Sequence, residues 1–165
     1  MIDSSKVFEK LLQNFRFNRV KNLLIGDVLD FGGNEGELNQ LVKGNYTIVN
    51  YDHSPMEGKQ FDTIVLLAVI EHIEVSEVHL IFNKFSKHLK KSGKILLTTP
   101  TPKSKWILEL LASIGILDKQ NIEEHKHYWD EKDIMDLANK NGFQLIEYKK
   151  FQIGFNQFAI MSHKD

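Results

Sequence analysis

Apolar residues recur along the chain in short blocks with two spacings. Apolar runs at 27–31, 46–51, 62–68 and 94–99 predict buried strands of a parallel sheet. Residues 143–151 and 155–162 predict two more strands, joined by a short connection containing Gly154, the signature of an antiparallel hairpin. Helical spacing of Val7, Phe8, Leu11, Leu12 and Phe15 predicts a helix over 6–15, with Asp3 or Ser4 as its cap. Leu38, Leu41 and Val42 predict a second helix over 35–43 that stops near Gly44. Val75, Val78, Phe82, Phe85 and Leu89 predict a third over 75–90, ended by Ser92-Gly93. A fourth starts at Ser104 and carries Trp106, Ile107, Leu110, Leu111 and Ile114. Residues 118–128 are polar and read as loop, and Asp130 with Asp133 opens a last helix that Gly142 stops. Strand–helix alternation predicts an α/β, doubly wound, mostly parallel sheet of about six strands that ends in the hairpin. We expect one domain over 1–165, with residues 1–22 as an amino-terminal cap helix and 103–128 as a lid or substrate segment.

In such sheets ligands lie at the carboxyl ends of the strands. There the first strand runs into a turn with Gly32, Gly33 and Gly36, and Asp30 sits at the strand's end. A dinucleotide motif needs Gly-x-Gly-x-x-Gly. Counted from Gly32, its second and third glycines would fall on Asn34 and Glu37, so that motif fails. Asp-x-Gly-x-Gly-x-Gly fits except at its middle glycine, which is Asn34, and Asn tolerates positive φ well.

Composition narrows the classes. Hydrophobic residues make up 42% and charged residues 26% of the 165, an ordinary globular balance. A net charge of −1 gives no global field for nucleic acid or an anionic membrane, so neither is expected as a partner. The basic amino end, with Lys6, Lys10, Arg16, Arg19 and Lys21, reads as a solvated helix face. Without cysteine there is no disulfide, thiol nucleophile or zinc–thiolate site. The longest continuous apolar run, 64–70, is too short to span a bilayer, and the first residues do not resemble a secretory signal. A cytoplasmic location is expected.

Four segments resemble class I S-adenosylmethionine (SAM) methyltransferases of the type 11 and type 23 group. They are Val28-Leu-Asp30-Phe-Gly32-Gly-Asn34-Glu-Gly36, Tyr51-Asp52-His53-Ser54-Pro55, Phe61-Asp62 through Glu71-His72-Ile73, and Leu89-Lys-Lys-Ser-Gly93 through Pro100. The resemblance implies SAM as cofactor. It implies that Asp30 and the Gly32, Gly33, Asn34 and Gly36 backbone hold the methionine part. It further implies that Asp52 accepts from the ribose hydroxyls, that His53 lies against the adenine, and that Leu67 and Ala68 line the sulfonium's surroundings. His72, His125 and His127 are the candidate acid–base residues, and His72 is the one chosen. The implied acceptor is a small molecule or glycan, methylated on oxygen; the sequence leaves the acceptor and the oligomeric state open.

One departure is large. Only residues 53–60 separate the second strand from Asp62, where the family places a helix, a strand and an adenine-reading loop. A SAM-fold binding or partner protein with impaired catalysis is therefore the alternative reading. A nucleotide-binding oxidoreductase is a third, disfavoured by the glycine spacing. No metal ligand is assigned. Glu71-His72 with the later His125 does match three of the four ligands that small-RNA terminal ribose methyltransferases and ubiquinone-pathway O-methyltransferases carry; the first is Ala68 here.

Overall fold

The computed structural model describes residues 4–50 and 52–164. The capping side chains Asp3 and Ser4, the Phe8 side chain and Tyr51 lie outside what it describes. Six strands form one sheet in the order β2-β1-β3-β4-β6-β5. They are β1 (Ile25–Phe31), β2 (Lys43–Val49), β3 (Phe61–Leu67), β4 (Leu89–Pro100), β5 (Phe143–Phe151) and β6 (Asn156–His163). The first four are mutually parallel, and β6 runs antiparallel to both β4 and β5. Among the described residues no strand lies between β2 and β3; Ser54–Met56 makes a single 3-10 turn there. β2 is therefore an edge of the sheet.

The pleat of β3 and β4 sorts the core. Ile64, Leu66, Ile95 and Leu97 face one side, where Phe82 and Phe85 of α2 (Val75–His88) and Ile134 and Leu137 of α5 (Glu131–Lys140) cover them. Val65 and Leu96 face the other, with Val28, Leu38, Phe158 and Val20 of α1 (Ser4–Val20). Asp130 caps α5 as its sequence predicts: it accepts from the Asp133 N–H at 2.8 Å, and Asp133 accepts from the Asp130 N–H at 3.1 Å.

Four expectations are corrected. The helix over 35–43 is only a 3-10 turn, Glu37–Leu41. β2 begins at Lys43, earlier than its apolar run, because Gly44 lies so close to the Gly26 carbonyl that a Cβ would sit 2.1 Å from it. That pairing takes the residues a longer helix would need. The helix α2 stops at His88 and β4 starts at Leu89, with an irregular register before Lys94, so Ser92-Gly93 lies inside the strand. The polar segment 118–128 contains a short helix, α4 (Lys119–Glu123).

The fourth correction concerns α1. Of the expected core stripe, Val7, Leu11 and Phe15 are exposed and Leu12 is half-buried; the helix is anchored at its carboxyl end by Phe17 and Val20. The outer apolar side chains of α3 (Lys105–Ser113) behave likewise, with Trp106 and Leu110 exposed. We therefore expect Phe82→Ala to cost about 3–5 kcal/mol in urea denaturation and Leu11→Ala no more than about 0.5 kcal/mol. Equal losses at the two positions would restore α1 to the core.

Candidate functional site

A cleft of about 1530 Å³ opens at the carboxyl ends of β1, β3 and β4, walled by α1 and α3. Asp30, Gly32, Gly33, Asn34, Leu67, Ala68, Glu71, His72 and His125 all line it. Gly36 lines an adjoining groove, and Asp52 and His53 line neither.

The turn after β1 is built for close approach. Gly32 has φ +80°, and a Cβ there would meet Val69 Cγ2 at 2.7 Å. A Cβ on Gly33 would sit 2.1 Å from Asp30 Oδ2, so the carboxylate lies directly on the glycine backbone. Asn34 takes φ +49°, the left-handed conformation that lets it stand for glycine. Its backbone is clamped on both sides by Asn50: the Asn34 N–H donates to Asn50 Oδ1 at 3.1 Å, and Asn50 Nδ2 donates to the Asn34 carbonyl at 3.0 Å. The Gly33 N–H has no acceptor among the described residues.

Asp30 is 3% exposed and takes one hydrogen bond, from the Tyr46 hydroxyl of β2 at 2.6 Å. Burial pushes its carboxyl up to about 6, while Tyr46 pulls it down. A buried carboxylate with one donor keeps lone pairs for a cationic ligand. Asp52 is exposed, and Ser54 caps it through its N–H at 2.9 Å and its hydroxyl at 2.7 Å, which holds the carboxyl below its usual range. The His53 ring lies 5.2 Å from that of Phe31, with Nδ1 3.2 Å from Lys84 Nζ.

At the far end of the cleft, Ala68 leaves β3 with φ +58°, uncommon for a residue with a Cβ. The chain then turns through Ile70–His72 in one 3-10 turn. Glu71 is 1% exposed and accepts from the Thr99 hydroxyl of β4 at 2.9 Å. The segment carrying His125 is tied down beside it. The Lys126 N–H donates to the Glu71 carbonyl at 2.7 Å, and buried Trp129 donates from Nε1 to the Ile70 carbonyl at 3.3 Å. As a result one ligand atom each of Glu71, His72 and His125 falls within 4.8 Å of the others. The two imidazoles meet edge to face at 4.7 Å, and His125 Nδ1 lies 3.0 Å from Tyr128 Oη. Burial pushes Glu71 up to about 7. It pulls His125 down to about 4, helped by His72, and lowers His72 as well.

A family model described as a methyltransferase domain matches residues 4–148. The chain belongs to that family. The solved structures agree in fold. The pyocyanin biosynthetic protein PhzM superposes with TM-score 0.69 at 13% identity, over 92% of this chain and 55% of its own. A SAM-dependent methyltransferase from Clostridium acetobutylicum gives 0.61 at 12%, over 99% and 91%. Magnesium protoporphyrin IX methyltransferase from Synechocystis, solved with bound S-adenosylhomocysteine, gives 0.60 at 14%, over 98% and 86%. The chain thus spans about half the length of the first, 55%. No curated protein matches it. Among the described residues no helix is long and apolar enough to cross a membrane.

Sequence reasoning missed Tyr46, the role of Thr99 as donor to Glu71, and Arg16. Arg16 also lines the cleft, and its positive charge acts on both Glu71 and His72. It was legible only in its helical position, four residues after Leu12 and four before Val20.

The burial of Glu71 has a measurable consequence. Its folded-state value lies above the unfolded one, so the folded protein holds the proton more tightly, and stability falls as pH rises from about 4.5 to about 7. Glu71→Gln keeps an acceptor for Thr99 without the charge. We expect it to match wild type at pH 4 and to exceed it at pH 8 by on the order of 3 kcal/mol. Chemical denaturation at the two values checks this, and a variant less stable than wild type at pH 8 contradicts it.

Proposed function

We propose that the protein is a SAM-dependent methyltransferase that transfers the methyl group to an oxygen of a small molecule or glycan in the cytoplasm. The observation that carries this is the turn Asp30–Asn34, which opens into the cleft inside the stretch that matches the methyltransferase family. The residues present suit the cofactor. Asp30 offers lone pairs to the ammonium group, and the Gly33 N–H is free for a carboxylate. Leu67 and Ala68 line the same cleft beside this turn. Asp52, at the surface, retains lone pairs for the ribose beyond its bonds to Ser54. SAM supplies an activated carbon for an in-line displacement, so the protein's task is alignment. α1 and the segment 103–128 wall the acceptor's side of the cleft, with Ile107, Leu108 and Leu111 as apolar lining. A hydroxyl acceptor must lose its proton, and His72, kept neutral by burial, is the base for it.

Isothermal titration with S-adenosylhomocysteine tests this reading. We expect binding in the micromolar range or weaker, lost in Gly32→Val and weakened about tenfold in Asp52→Ala. Absence of binding at millimolar ligand removes the reading. Binding without methyl transfer to any member of a metabolite panel favours the non-catalytic alternative.

The convergence of Glu71, His72 and His125 favours a metal-assisted form of the same chemistry. Two imidazoles and one carboxylate are a donor set for Zn²⁺ or a similar divalent ion, and Thr99 and Tyr128 are placed to orient the carboxylate and His125. Such an ion would supply Lewis acidity toward the acceptor oxygen. Titration with Zn²⁺ should show one site, weakened about tenfold or more in His125→Ala; identical heats for the two proteins would leave His72 as a metal-free base.

A further inference from the structure

Asp30 owes its position in the cleft to a strand that does not itself line the cleft. Val28 and Asp30 lie on one face of β1, and Tyr46 of β2 stands beside Val28 in the register. An aromatic side chain reaches diagonally to the next residue on such a face. Here that reach carries the Tyr46 hydroxyl to Asp30 Oδ2 at 2.6 Å, the length of a hydroxyl bond to a charged carboxylate. The ring is held in place from two sides. It packs on the core cluster around Val28 and Leu38, and it lies against Gly36, where a Cβ would touch Tyr46 Oη at 3.4 Å and Cε1 at 3.6 Å. Gly36 thus makes room for the tyrosine, which accounts for a glycine in this turn that does not line the cleft. Asp30 Oδ1 has no hydrogen-bond partner among the described residues. It is not among the buried polar atoms that lack one, so it meets the open cleft.

Tyr46 keeps its proton, because burial and Asp30 both push its hydroxyl up. It is therefore a donor at any ordinary pH, and a donor to a carboxylate favours the charged form against burial. Other charged side chains line the cleft with Asp30: Glu9 and Arg16 of α1, Glu35 and Glu37 after the turn, and Glu71 and His72 beyond β3. None of these is among the groups that displace its titration.

We infer that Tyr46 is a positioning residue for a cationic group bound in the cleft: by occupying Oδ2 it leaves Oδ1 of Asp30 aimed at that group. The inference deepens the proposed function and rests on it for the identity of the cation, the ammonium of the methionine part of SAM. It gives the edge strand β2 a part in binding that its place outside the cleft conceals.

The test uses the full chain and Tyr46→Phe, which removes the hydroxyl and keeps the ring. Isothermal titration compares S-adenosylhomocysteine with its analogue lacking the amino group, between about pH 5 and 8. Wild type should bind S-adenosylhomocysteine more weakly as pH falls through about 6, where Asp30 takes up a proton and the ammonium loses its partner. Tyr46→Phe should weaken this ligand about tenfold at pH 8 and move the midpoint of the decline up by roughly one pH unit. The deaminated analogue should bind the two proteins alike. Glu71 and His72 share the cleft in both proteins, so the difference between the profiles belongs to Asp30. Carbon-detected NMR of the aspartate carboxyls reads the same upward move in the free protein, without any ligand. Equal affinities and an unmoved carboxyl midpoint, in Tyr46→Phe that circular dichroism shows to be folded, overturn the inference. An equal loss for both nucleosides with an unmoved midpoint also overturns it, as damage to the turn and not to the ammonium's partner. Wild type that binds neither nucleoside at millimolar ligand removes the methyltransferase reading separately. The carboxyl midpoint then decides for Tyr46: raised in Tyr46→Phe it supports the positioning of Asp30, and unmoved it overturns it.

Discussion

Two carboxylates buried at one end of a parallel sheet set the terms for the rest of the site. A carboxylate removed from water must be answered by hydrogen bonds or cations, or it takes up a proton. Asp30 is answered by the Tyr46 hydroxyl and Glu71 by the Thr99 hydroxyl, each supplied by the adjacent strand. One neutral donor at Asp30, and at Glu71 its own backbone N–H with the Thr99 hydroxyl, are less than a charged carboxylate in the interior needs, which is why burial outweighs the bonds in both cases. The remaining demand faces the cleft. A cationic ammonium beside Asp30, and either a divalent ion or a proton beside Glu71, are the species that satisfy it.

The sheet places these groups, and the sheet was the legible part of the chain. Runs such as 62–68 have no polar alternative but a doubly covered strand, so β3 lies within one residue of its expected bounds. β5 matches its expected bounds, because alternation and the flanking Gly142 and Gly154 act together. The helices were read less well where tertiary pairing overrode local preference. Residues 35–43 have a helical spacing, but two left-handed residues, Asn34 and Gly36, and the early start of β2 leave room for one 3-10 turn. Apolar spacing on α1 was real, yet spacing shows only that a helix has an apolar side, not that anything packs on it.

The site was legible where the chain itself carries it and obscure where another element supplies the partner. Asp30, Gly32, Gly33, Asn34, Leu67 and Ala68 stand in two short segments, and the fold brings both to one cleft. Tyr46 and Thr99 act across strands, so only the register revealed them: Tyr46 pairs with Val28, two residues before Asp30. Arg16 looked like one more charge on a basic, solvated helix. Its meaning comes from the cleft beneath it, which no local pattern encodes.

The short 53–60 connection shifts where a ligand's binding energy can come from. β2 is the edge of the sheet, and beyond it Asp52 and His53 stand outside the cleft with Ser54 and Lys84 as their neighbours. A ribose or adenine bound there would meet water on one side, where hydrogen bonds to a carboxylate are weakened by the solvent's competition. The opposite end is more enclosed: Asp30 and Glu71 are buried, α1 walls the cleft beside them, and Gly32 and Gly33 allow contact with the backbone. Charged hydrogen bonds count for most in such an enclosed place. On the proposed function, a nucleoside ligand would be held chiefly by its amino-acid end. The same asymmetry explains why an amino-terminal helix with so little packing of its own still belongs to the site. Without α1 the cleft would lose the wall that faces the carboxyl end of β1.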